Sequence, residues 1–329
     1  SMVAKLQDVA KLAGVSVTTV SRVINDYGYI SDKTRNKVHQ AMRELNYQPN
    51  SLARSLHGKH TKLVGLIFPG ASHPFFGELI EKIEEELFAA GYKTILCNAG
   101  DDKEKEREYL RMLLANQVDG VIAGAHNIGI EEYNQAGLPI VAFDRQLSDQ
   151  VPIVSSDNYQ GGVLATEELY QAGCRSIYFV GNPNSRVHPT DNRLAGYQEV
   201  IKKYNLTSHI HSVTFAETTT YKAMLIRDLL QTHKVDGVVC TDDLTALLVI
   251  NIARELGRRI PEDIKVIGYD GTQFIRQYHP ELSTIVQPIG DIAKVLVDLL
   301  QQRIKEPKQA IVPKNYTLPV TLLRRSSSR

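Results

Sequence analysis

The sequence predicts a small all-α helix-turn-helix head followed by an α/β core of two doubly wound parallel-sheet lobes. Three observations point there. The first fifty residues carry three short amphipathic helical patterns, separated near Gly14 and Ser31. From Lys62 onward, apolar runs of strand length alternate with helical stretches. Two motifs of that second region also recur. Val118-Asp119-Gly120-Val121-Ile122-Ala123 is echoed by Val235-Asp236-Gly237-Val238-Val239-Cys240, and Pro139-Ile140-Val141-Ala142-Phe143-Asp144 by Ile264-Lys265-Val266-Ile267-Gly268-Tyr269-Asp270.

In the head, Leu6, Val9, Ala10 and Ala13 fall on one helical face. Gly14-Val15 turns the chain, and Ser16 is placed to cap a second helix that runs through Ile24. Val20, Val23 and Ile24 can pack on the first helix, leaving Val17, Thr18, Ser21, Arg22 and Asn25 outward. A third helix, capped by Ser31, carries Val38, Ala41, Met42 and Leu45 as its apolar stripe. An ordinary three-helix bundle dresses its outer face in Lys and Glu. Short polar groups near a helix N-terminus suit base edges in a major groove, and Arg22 suits phosphate or guanine. Charge agrees: residues 1–60 hold nine Lys/Arg against four Asp/Glu, a net +5, and the remainder carries −4. After Pro49, Asn50 can cap a short helix ended by Gly58. Seven residues do not hold a helix alone, so this segment needs a twin from a second subunit, a minor groove, or both. Leu56 could wedge between base steps there.

In the core, Leu63–Phe68, Thr94–Cys97, Gly120–Ala123 and Ile140–Phe143 read as buried parallel strands, with helices beginning near Pro74, Asp101 and Gly129. A second set follows: Ser176–Val180, Ser212–Phe215, Gly237–Cys240 and Lys265–Tyr269, with helices near Asp191, Thr218 and Asp242 and over Pro288–Ile304. Two such lobes aim their strand C-termini at a shared cleft. Both echoed motifs end in Asp, so each lobe offers a carboxylate, Asp144 or Asp270. That suits a polyol: a carboxylate accepts adjacent hydroxyls, Arg193 supplies a forked donor, and Phe75, Phe76 or Tyr221 can cover a sugar ring. Asp242 and Arg145 are further candidates.

At 329 residues the chain is long enough for two or three domains, and 43% hydrophobic with 23% charged residues is a globular balance. No apolar run approaches the ~18–20 residues of a membrane span, and no apolar signal core follows the start. No membrane partner is expected. Ser1 before Met2 reads as a remnant of tag removal, and the expected location is the cytoplasm. Cys97, Cys174 and Cys240 are too sparse for a disulfide framework and lack metal-ligand spacing, so no metal or cofactor is expected. There is no GxxxxGK[ST], GxSxG or HExxH motif, which argues against an enzyme.

Leu6-Gln7-Asp8-Val9-Ala10, Gly14-Val15-Ser16, Thr19-Val20-Ser21-Arg22-Val23-Ile24-Asn25, Leu45-Asn46-Tyr47-Gln48-Pro49-Asn50 and Ala53-Arg54-Ser55-Leu56 together resemble the head and hinge of the lactose-repressor/galactose-repressor family. The resemblance implies a homodimer on near-palindromic operator DNA. It implies DNA contacts from Leu6, Ser16, Val17, Thr18, Thr19, Ser21, Arg22, Asn25, Asn50, Ala53 and Leu56, with Val17 and Thr18 at positions that choose the operator. The core also resembles that family, and through it periplasmic sugar-binding proteins whose chain crosses between lobes three times. The implied domains are a head over 1–49 and a hinge and linker over 50–61. An N-terminal lobe follows over 62–158 and 289–317, and a C-terminal lobe over 159–288 and 318–329.

Asp144, Arg193 and Asp270 match positions where the family contacts its effector, and Gln287 sits at a crossing that reaches it. Thr241 departs from the Asn that many members carry. The narrower resemblance is to sucrose-operon repressors of Gram-positive bacteria, supported by Ala4–Ala13 and Ile153–Asn158. It implies a sequence-specific repressor of a sucrose operon, controlled by a small sugar or sugar phosphate between the lobes. Two other readings compete. A sugar-transport receptor would share the core but lack the head. A carbon-catabolite regulator switched by a phosphorylated carrier protein would need a basic patch on the first lobe, whereas Asp101–Glu108 is mixed in sign.

Overall fold

The computed structural model describes residues 2–50, 60–135, 137–182, 188–214, 217–307 and 315–329. The chain divides into two compact units, Ser1–Thr61 and Lys62–Arg329.

In the first unit, α1 (Leu6–Ala13), α2 (Val17–Asn25) and α3 (Asp32–Glu44) close over Val9, Ala10, Val20, Val23, Val38 and Ala41. The punctuation follows from residue chemistry. Gly14 ends α1 at φ 70°, where a side chain would be strained. Ser16 and Ser31 accept the backbone N–H of Thr19 and Thr34 and so start α2 and α3.

The second unit contains two sheets. β1 (Leu63–Phe68), β2 (Lys93–Asn98), β3 (Gly120–Ala123), β4 (Ile140–Phe143), β5 (Ile153–Ser156) and β11 (Asn315–Leu318) build the first, in the order β11-β5-β4-β3-β1-β2. β6 (Ile177–Gly181), β7 (His209–Ser212), β8 (Gly237–Cys240), β9 (Lys265–Asp270), β10 (Ser283–Val286) and β12 (Thr321–Leu323) build the second, in the order β12-β10-β9-β8-β6-β7. Every pairing is parallel except β10 with β12. The echoed motifs are β3 with β8 and β4 with β9, and each pair holds the same place in its sheet.

Around the first sheet lie α4 (Pro74–Ala89), α5 (Lys103–Ala115), the single turn α6 (Glu132–Gln135) and α12 (Ile289–Lys305). Around the second lie α7 (Asn158–Gln171), α8 (Asn192–Lys203), α9 (Thr219–Thr232), α10 (Asp243–Glu255) and α11 (Gln273–Tyr278). Each sheet is covered by apolar clusters on both faces. The three cysteines are buried and free. The chain passes between the sheets after β5, after β10 and after β11.

Two sequence expectations are corrected, and one strand is added. The strand expected over Ser212–Phe215 lies at His209–Ser212. It is an edge strand with alternating exposure, so its apolar signal is weak, and the Val213 that drew the assignment already belongs to the loop beyond it. The helix expected from Gly129 is only the turn Glu132–Gln135. β10 was not anticipated because Ser283 and Thr284 hide their hydroxyls in hydrogen bonds to Arg325 O and the Asp243 carboxylate.

Candidate functional site

On the head, α2 presents exposed Val17, Thr18 and Arg22 and half-buried Thr19, Ser21 and Asn25. The Ser16 hydroxyl is taken up by Thr19, and Asn25 Nδ2 donates to Ser21 Oγ at 3.3 Å. Leu6 begins α1 and is half-buried against the head's apolar cluster. Asn50 is exposed beyond α3. Ala53 and Leu56 lie outside the described residues.

In the second unit a cavity of about 320 Å³ opens between the two sheets' strand ends. Phe75, Phe76, Asp144, Arg193, Asp242, Asp270 and Gln287 all line it. Phe75 and Phe76 begin α4 and belong to the first lobe's apolar core as well. Asp144 just past β4 and Asp270 at the end of β9 have backbone conformations rare for a side chain, φ 54° and 121°. Burial raises the Asp144 carboxyl to about 6, against the pull of Arg193 and Asn158. Burial also raises Asp270 well above the ordinary range, despite Arg193. Asn158 Nδ2 donates to Asp144 Oδ1 at 3.0 Å and Gln287 Nε2 to Asp270 Oδ1 at 2.8 Å. Asp242 caps α10 through Thr245 N; burial works against its ionised form, but His73 and Thr245 outweigh it and hold the carboxyl at about 2.

Arg193 is positioned by close helix packing. A side chain at Gly162 would run into the Arg193 carbonyl, and one at Gly196 into the Tyr159 carbonyl, so α7 and α8 can touch. The guanidinium then donates to Asn158 Oδ1 at 2.9 Å and Thr241 O at 2.7 Å and lies 3.7 Å over the Tyr269 ring. Thr241 therefore contributes through its carbonyl.

Two candidates stand elsewhere. Tyr221 is exposed in the first turn of α9, and Lys222 lines the cavity instead, because the Thr218 cap fixes the helix phase. Arg145 is buried behind the wall, donating to Glu106 Oε2 at 2.8 Å and Asn127 O at 2.5 Å. Sequence reasoning missed His126, His188 and Asp191, which also line the cavity; scattered His and a helix-starting Asp gave no spacing signal. Among the described residues no group of three or more His, Cys, Asp or Glu is placed to hold a metal, and no helix is long and apolar enough to cross a membrane.

Residues 5–50 match the family described as bacterial regulatory proteins, lacI family, and residues 166–328 a periplasmic binding protein-like domain. The sucrose operon repressor of Pediococcus pentosaceus is 56% identical over 97% of this chain and 98% of its own length. The chain belongs to the LacI family. A second relative, the sucrose operon repressor of Streptococcus mutans, is 50% identical over 98% of each chain. The Lac repressor dimer bound to operator and the anti-inducer ONPF superposes with a TM-score of 0.84 at 28% identity, covering 99% of each chain. As a LacI-family member the chain is a DNA-binding transcription repressor, not an enzyme.

Proposed function

We propose that the chain represses a sucrose-utilisation operon from the cytoplasm, as a homodimer on a near-palindromic operator, and that a small sugar or sugar phosphate in the inter-lobe cavity releases it. The observation that carries the sugar reading is the cavity wall. Carboxyls from equivalent strand ends, Asp144 and Asp270, flank the Arg193 guanidinium, with Phe75 and Phe76 beside them. Carboxylate oxygens and a guanidinium bind vicinal hydroxyls, and aromatic faces cover a sugar's apolar side. The names of the two curated relatives supply the operon. On the head, Val17, Thr18 and Arg22 would read the major groove. The hinge residues Ala53 and Leu56 would enter the minor groove.

A ligand favouring closed lobes shifts the repressor away from the form that grips DNA, and a coupling of ~1–3 kcal/mol changes operator affinity ~5–150-fold. The test is fluorescence anisotropy of the full chain on duplexes from upstream of sucrose genes, with ribose-gene duplexes as the control. Tight binding to the former, lost on adding sucrose or one of its constituent sugars, is expected. Arg22→Ala weakens operator binding by ~1–3 kcal/mol and relaxes sequence preference. A monomer without operator preference sinks the reading.

A further inference from the structure

Two histidines from opposite lobes meet at the cavity. His126 follows β3, and His188 precedes the turn Pro189–Asp191. Their rings lie edge to face with centroids 5.3 Å apart. Among the described residues, His126 Nε2 and both ring nitrogens of His188 are shielded from solvent with no well-formed hydrogen bond. Sealed polar atoms of this kind are costly and invite a partner. The cavity's charge limits what that partner is. Among the described lining residues stand five carboxyl groups, Asp101, Asp144, Asp191, Asp242 and Asp270, against two cations, Arg193 and Lys222. A phosphate dianion would add charge beside Asp144 and Asp270, whose own ionisation burial already resists, with two lining cations to offset it.

We propose that His126 and His188 form a hydroxyl-binding subsite of this cavity, and that its ligand is an uncharged, unphosphorylated sugar. The proposal rests on the effector reading above and decides between the two effector classes that reading leaves open. A neutral imidazole offers one donor and one acceptor, the complement of a sugar hydroxyl, whereas a phosphate calls for imidazolium. Burial, then His188, Arg145 and Arg193, hold His126 down at about 3, with only the Asp144 backbone opposing. Burial and then Arg145 likewise lower His188, against Asp191 and the His126 backbone. Both rings are neutral near pH 7. Solvated imidazoles in an opened cleft would take up protons below about pH 6.5. Closure is therefore fully supported above that pH and weakens as pH falls through it.

Titration calorimetry on the full-length chain tests this with sucrose, fructose and glucose, and with sucrose 6-phosphate and fructose 6-phosphate. The uncharged sugar that releases operator is expected to bind at least roughly tenfold tighter than its phosphate ester, and to lose affinity from pH 7.5 to 5.5. His126→Phe and His188→Phe should each weaken it by roughly tenfold, and His126→Asn should restore part of that loss. Thermal unfolding of the sugar-free variants checks their folding. A phosphate ester that binds tighter, or an uncharged sugar indifferent to both histidine changes, overturns the proposal while leaving the repressor reading intact. If no sugar of either class binds or releases operator, both fall.

Discussion

The two lobes place an aspartate at the end of equivalent strands, Asp144 just past β4 and Asp270 as the last residue of β9, and each is held by an amide beside a chain crossing, Asn158 or Gln287. Behind these matched fronts the lobes differ. In the first, the buried acid is Glu106, which receives Arg145 Nη1 at 2.8 Å, Asn127 Nδ2 at 2.9 Å and Tyr133 Oη at 2.6 Å. The second holds two such acids: Glu168 receives Arg324 Nε at 2.8 Å and Nη2 at 2.9 Å, whereas Asp243 pairs with no cation among the described residues and receives Thr284 Oγ1 at 2.7 Å and Gly271 N at 2.8 Å. Burial pushes the Asp243 carboxyl up to about 7. Glu106 and Glu168 meet the cost of burial with a counter-charge. Asp243 approaches neutrality instead. An interior charge persists only when paired and hydrogen-bonded, and otherwise the group shifts its titration.

The same acid-to-amide exchange should therefore have unequal effects at Glu106 and at Asp243. Glu106→Gln leaves Arg145, which is 1% exposed, charged and without its counter-ion. Urea unfolding should show a loss of roughly 3–5 kcal/mol. Glu106→Met with Arg145→Met should recover only part of it, since Asn127 and Tyr133 then lose their acceptor. A Glu106→Gln variant as stable as the parent would mean that this pair is not what holds the first lobe's cavity wall.

The matched fronts were legible in the sequence and the unmatched backs were not. The Asp-terminated echoes announced two lobes because parallel strands buried on both faces write themselves as apolar runs. Glu106 sits in Lys103–Glu108, a mixed-sign stretch that reads as a solvated helix face; only tertiary packing turns one of its carboxylates inward. Arg145 was taken for a cavity residue because it follows Asp144, but successive residues beyond a strand end point in different directions. Tyr221 missed for a related reason, a phase difference of one residue at the start of α9. The histidine pair gave no signal because His126 and His188 are 62 positions apart and meet only when the lobes face each other.

At the fronts the expected effect is smaller and falls on regulation. Asp270→Ala should reduce the sugar-driven change in operator affinity by ~1–3 kcal/mol, read as a right-shifted sugar titration of operator release, while the head still binds DNA. Asp144→Ala should do the same if both lobes grip one ligand. A difference between the two variants would show that the ligand is held mainly by one lobe. Loss of operator binding in the sugar-free Asp270→Ala protein would undo the division of labour between head and cavity.

The smallest effect is expected behind the second front, and its pH dependence gives it diagnostic value. Asp243→Asn can turn its Nδ2 toward Thr284 Oγ1, because that hydroxyl can accept as well as donate, while Oδ1 keeps Gly271 N. At neutral pH the cost should stay within about 1 kcal/mol, since no ion is stranded. The sign of the pH effect follows from the raised carboxyl. Its ordinary value in the unfolded chain is about 3.9 and its folded value is about 7, so the folded form binds the proton more tightly. The stability this contributes is complete below about pH 4 and is lost as pH rises toward 7. The urea midpoint of the parent relative to that of Asp243→Asn should therefore fall across that window. Equal slopes would mean that Asp243 is ionised throughout, and the contrast between Glu106 and Asp243 would then reduce to which donors each acid receives.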